Sequence, residues 1–87
     1  MTEMNKINID ALENAAGGRI REIDNPDASY ANIRNQAGLQ GTILFRMKNG
    51  QKVDTTGNTI KRDGFIWYEI YLDGGKYGWV AGNLIGY

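Results

Sequence analysis

The sequence predicts a small all-β barrel, and three observations carry that expectation. Two aromatic, β-branched runs, residues 65–72 and 77–85, flank Asp73-Gly74-Gly75-Lys76, a turn of residues that tolerate positive φ, so they read as a hairpin. Short strand-like runs recur at tight spacing through the rest of the chain, with hardly any helical periodicity. Twelve glycines against one proline suit strands that must bend sharply. Together these patterns predict five to seven short strands, with a short helix as the only departure near the N-terminus.

Residues 1–8 are polar and unpatterned. Over residues 9–16 the spacing predicts a short helix: Asp10 can cap it, Glu13 follows three residues on, and Ile9, Leu12 and Ala16 share a face. Gly17-Gly18 ends it. We therefore divide the chain into an N-terminal tail or short helix, residues 1–18, and a barrel, residues 19–87. Strands are expected over residues 19–23, stopped by Asn25-Pro26-Asp27, and over 30–34, with a loop over 35–41. A hairpin should follow, in which residues 42–47 pair with 51–56 across the Asn49-Gly50 turn. Residues 57–64 read as a polar tip. In the strand over 65–72, period two puts Ile66, Tyr68, Ile70 and Leu72 on the core side, and Phe65, Trp67, Glu69 and Tyr71 on the outer side.

Composition narrows the chemistry. At eighty-seven residues the chain makes one domain with a modest core. Without histidine or cysteine it lacks the commonest general base, the commonest transition-metal ligands and any disulfide, so we expect neither an enzyme nor a metal or other cofactor. Ser29 is the one serine, and no carboxylate pair has the spacing of a hydrolase or a metal cage. Ten acidic and ten basic residues cancel, which disfavours nucleic acid and anionic lipid as partners. No apolar run approaches the ~20 residues that cross a bilayer. The first residues carry no secretory signal, which leaves localisation open among an intracellular protein, a phage protein released by lysis and a domain cut from an exported chain.

From residue 65 onward lie both tryptophans and four of the five tyrosines. A sheet this small cannot bury them all, so part of this load should form a binding surface. Tyrosine and tryptophan suit that role because they present large, stiff, amphipathic area at low entropic cost.

Four motifs in order resemble the bacterial SH3 family: Ala31-Asn32-Ile33-Arg34, then Lys48-Asn49-Gly50-Gln51-Lys52-Val53, then Trp67-Tyr68-Glu69-Ile70, then Gly78-Trp79-Val80. The family pattern runs N-V-R, K-G-x-K-V, G-W-Y-K-V and G-W-V, and the match spans residues 30–85. The resemblance implies an SH3-like barrel and a non-catalytic role in binding short peptides, peptidoglycan stem or bridge peptides among them. It places Trp67 at the border of a ligand groove, with Tyr30 and Asn32 on the opposite wall. Trp79, and Tyr77 on its face, complete the candidate ligand-binding set. Trp67→Ala is then expected to weaken binding while the barrel stays folded.

Residues 78–85 are also similar to the eukaryotic SH3 motif G-L-I-P-S-N-Y-V. Here Ala81 and Leu84 stand where that motif has proline and tyrosine, and the loop over 35–41 has no carboxylate, which disfavours proline-rich ligands. The alternative to a wall-binding module is an intracellular, phage-encoded protein that uses the same barrel to bind and block a host protein. Aromatic faces also serve as dimer contacts, so a monomer or weak homodimer is expected.

Overall fold

A computed structural model describes residues 19–87. The helix expected over residues 9–16 and the tail before it lie outside the described residues. The described residues form six strands: β1 (Arg19–Glu22), β2 (Tyr30–Arg34), β3 (Ile43–Lys48), β4 (Lys52–Arg62), β5 (Phe65–Leu72) and β6 (Lys76–Ala81). One-turn 3₁₀ segments follow β5 and β6. All pairings are antiparallel, in the order β1-β4-β5-β6-β2-β3. This is the small all-β barrel that the strand spacing and glycine content predict, of the SH3-like kind that the resemblance implies.

The connection between β3 and β4 requires the sheet to roll. β3 is the last strand at one side of the sheet and β4 is second from the other. Only residues 49–51 join them, a reach of roughly 10 Å, so the sheet must curl until its two sides nearly meet. The hairpin expected across Asn49-Gly50 is therefore not formed: β3 pairs with β2, while β4 pairs with β1 and β5. The Asn-Gly turn is present, with Gly50 at φ 95°, but it is a corner. The Asn49 side chain fixes it by donating to the carbonyls of Asn25, at 3.2 Å, and Ala28, at 2.9 Å, while its Oδ1 accepts from the Asn25 amide at 2.9 Å. These bonds engage both amide N–H donors and the carbonyl oxygen of the asparagine outside any hairpin.

Residues 57–64 also depart from expectation. β4 continues through Arg62, and the tip shrinks to Asp63-Gly64, both at positive φ. Thr56, Gly57 and Asn58 form a bulge, where the β4–β5 register shifts between Thr55 and Thr59. The extra residues and the glycine (φ 100°) look like a turn in sequence, yet serve to bend a long strand.

The core is two clusters rather than one. Ile23, Ala31, Ile33, Val53, Ile70, Val80 and Ile85 fill the barrel. Ala37, Trp67 and Ala81 form a second group, joined by Phe65, Trp79 and Leu84. β5 feeds both: Ile70 is buried in the first and Trp67 in the second, a spacing of three that simple alternation does not produce. Alternation still holds locally; the two residues lie on opposite faces, and each face is covered. The expected core position Ile66 is instead 50% exposed.

The chain end is tied to the first strand. Arg21 Nε donates to the Ile85 carbonyl at 3.0 Å, and Nη2 donates to the Gly86 carbonyl at 3.1 Å. Its guanidinium lies 4.2 Å from the centre of the Tyr87 ring, which stacks on Tyr68 at 4.3 Å. Partly exposed charge-assisted bonds and a cation–π contact of this kind are worth about 1–2 kcal/mol together. Arg21→Ala should lower stability by that amount in a urea melt, and Arg21→Lys, which lacks the planar fork, should recover less than half of it.

Candidate functional site

A groove forms where the loop after β2 crosses the β5–β6 ribbon. Residues 35–42 fold back over the outer face of β5. Asn35 holds both ends, its amide donating to the Thr42 carbonyl at 2.9 Å and its Oδ1 accepting from the Thr42 amide at 2.9 Å. Arg34 Nη1 braces the loop from below by donating to the carbonyls of Leu39 and Gly41, at 3.1 and 2.9 Å. From the β4–β5 tip, Asp63 Oδ2 accepts the Leu39 amide at 2.8 Å, and Arg62 Nη1 donates to the Ala37 carbonyl at 3.2 Å. Loop and tip are thereby latched to each other.

Trp67 lies under that latch. Parity puts it on the outer face of the ribbon, as its sequence position suggests, but the loop covers it and leaves it 2% exposed. Its Nε1 donates to the Arg62 carbonyl at 2.9 Å, which satisfies the one polar atom of the ring. Phe65 packs edge-on against it at 6.0 Å. The expectation that Trp67 stands open on the outer face at the border of the groove is corrected: its ring is buried as the floor of the groove, supporting other side chains rather than projecting among them.

The groove has a volume of about 230 Å³. Tyr30 and Asn32 on β2 stand on one side of it, and Phe65, Ala81, Asn83 and Leu84 stand elsewhere along its lining, with Trp67 beneath. Tyr30, Asn32 and Trp67, all expected at a ligand site, are therefore brought together. The Tyr30 ring is half-buried and carries the Arg46 guanidinium 4.4 Å from its centre. Asn32 Oδ1 is buried and accepts no hydrogen bond among the described residues. Such orphan acceptors are uncommon, because burying one without a donor costs about 1–3 kcal/mol.

Trp79 and Tyr77 are not in this groove. They sit on β6 opposite Glu69 and Tyr71, on the outer face of the ribbon, and neither lines the groove. Trp79 is half-buried beside the Trp67 cluster, and Tyr77 is 52% exposed. The sequence pattern did not single out Asn83 and Leu84, which lie in the 3₁₀ turn after β6. The signal for them was their place in the segment similar to the eukaryotic motif.

A larger apolar hollow, of about 600 Å³, opens elsewhere on the barrel, between β3 and the strands β1, β4 and β5. Leu44 and Phe45 on its rim are 46% and 42% exposed, unusual for an edge strand, where natural sheets favour charge. Among the described residues, no group of three or more His, Cys, Asp or Glu could hold a metal ion.

A rolled six-stranded antiparallel sheet fits the SH3-like barrel, a class of generally non-catalytic binding domains. The family model for the bacterial SH3 domain matches residues 29–86, and the chain belongs to that family. No curated protein and no solved structure matches it.

Proposed function

We propose that this module binds a short extended peptide in the groove between β2 and the latched loop, and that the peptide is a glycine- or alanine-rich segment of peptidoglycan. The observation that carries this reading is the convergence of Tyr30, Asn32 and the floor Trp67 on one groove, with the Asn32 acceptor lacking a donor among the described residues. A peptide N–H is a donor of the right kind. The volume is below the ~300–1,000 Å³ of pockets that enclose drug-sized ligands, which favours a backbone with small side chains lying across it. Ala81 and Leu84 leave no flat slot for proline rings. The Asp63 carboxylate, the acid nearest the loop, already accepts the Leu39 amide.

Titration with purified stem and bridge peptides, followed by amide chemical shifts, tests the proposal. Shifts should concentrate at residues 30–41 and 65–84. Tyr30→Ala should weaken binding about tenfold, or ~1.4 kcal/mol, while the melting temperature moves by only a few degrees. Unchanged spectra at millimolar peptide would remove this ligand. A second reading, in which the barrel binds and blocks a host protein, is supported by the apolar hollow beside Leu44 and Phe45. One stoichiometric protein captured from lysate, lost in Phe45→Ser and retained in Tyr30→Ala, would decide for it.

A further inference from the structure

The outer face of the β5–β6 ribbon carries a second constellation, separate from the groove. Glu69 pairs with Trp79, and Tyr71 pairs with Tyr77. Cross-strand partners share a face, as do residues two apart on one strand, so the four side chains form a two-by-two block roughly 5 Å across and 7 Å along. The two tyrosines are 51% and 52% exposed, with ring centres 5.7 Å apart and planes inclined at 44°. Trp79 and Glu69 are half-buried.

Glu69 is held in place without being neutralised. Its Oε1 accepts from Thr56 Oγ1 at 2.9 Å and from Asn58 Nδ2 at 2.8 Å. Both donors belong to the β4 bulge, and both are uncharged. Among the described residues, Oε2 accepts no hydrogen bond and no cation pairs with the carboxylate. The nearest candidates on adjoining strands are committed elsewhere. Arg34, opposite Trp79 on β2, gives Nη1 to the loop carbonyls and lies with its guanidinium carbon 5.9 Å from the centre of the Trp67 ring, not on the carboxylate. Lys76, preceding Tyr77, alternates to the other face of β6. A fixed carboxylate beside three aromatic rings, with no cation paired to it among the described residues, matches what recognises an ammonium or guanidinium group: ring faces attract the cation and the carboxylate supplies the counter-charge.

We propose that Glu69, Tyr71, Tyr77 and Trp79 form a second binding site that takes a lysine or arginine side chain from a peptide or protein. It is independent of the groove and of what the groove binds. The probe is a blocked Gly-Lys-Gly peptide, with its Nε-acetylated counterpart as the neutral control, each titrated into the full chain and followed by side-chain and amide chemical shifts. The charged peptide should shift all four residues in the millimolar range and leave Tyr30 and Asn83 in place, and the acetylated peptide should bind at least about fivefold more weakly. Glu69→Gln keeps the Oε1 acceptor for Thr56 and Asn58, so the barrel stays folded, yet binding should fall about fivefold and lose its salt dependence. Tyr77→Ala, at an exposed position, should weaken it about threefold or more. Equal binding of both peptides, shifts confined to the groove, or no shift at all would each overturn the proposal. So would shifts of the block on raising protein concentration alone, which would make it a contact between copies.

Discussion

Replacing Trp67 by alanine is expected to destabilise the barrel by about 3–5 kcal/mol. The side chain is 2% exposed and anchors the smaller core cluster with Ala37 and Ala81. Its loss leaves a void under the loop and an unpartnered Arg62 carbonyl where the indole N–H now donates. A domain this small sits near the low end of the usual ~5–15 kcal/mol, so the variant should be largely unfolded at physiological temperature. A urea melt followed by far-ultraviolet circular dichroism measures it. A midpoint within error of the parent would mean that the loop does not cover the ring. This replaces the expectation from sequence that Trp67→Ala would spare the fold and weaken only binding. At a buried floor position, stability and binding fall together, and Tyr30 is the better probe of binding.

Gly41→Ala is the second large effect. A Cβ at Gly41 would stand 2.4 Å from the Gln36 carbonyl oxygen and 3.2 Å from Arg34 Cβ. The closest atom is backbone within the same loop, so relief requires the loop itself to open. Alanine would gain about 0.4–1 kcal/mol from a less flexible unfolded chain. Overpacking costs more, about 1–3 kcal/mol, so a net loss near 1–2 kcal/mol is expected. The sharper readout is local. Gly41 also offers its carbonyl to Arg34 and donates its amide to the Gly38 carbonyl, so opening the loop breaks the latch over Trp67. Hydrogen exchange should accelerate at residues 36–42, and tryptophan emission should shift to the red. Unchanged emission with an intact melt would show that the loop absorbs the methyl group elsewhere.

The strands carrying aromatic or alternating patterns were legible, as β2 and β5 show. What was not legible depended on partners distant in sequence. Trp67 has the right parity for an outer face, but its burial comes from Ala37, thirty positions earlier, and no local pattern announces a loop that folds back. Thr56-Gly57-Asn58 has turn chemistry; only pairing with β5 reveals it as a bulge inside a long strand. Asn49-Gly50 is a real turn whose neighbours do not pair, because β3 pairs with β2 while β4 pairs with β1 and β5. At the candidate site, Tyr30, Asn32 and Trp67 do converge, whereas Tyr77 and Trp79 belong to another surface. That separation follows from where the loop ends along the ribbon, and residue spacing does not encode it.

The clasp between Arg21 and the Ile85-Gly86 backbone brings the entry and exit of the barrel together at one point on its surface. A polypeptide can enter and leave there without stretching across the molecule. Residues 19–87 can therefore be spliced into a surface loop of another protein, or re-cut at the exposed Asp73–Gly75 corner with residues 19 and 87 joined by a short bridge, with the pairing order unchanged.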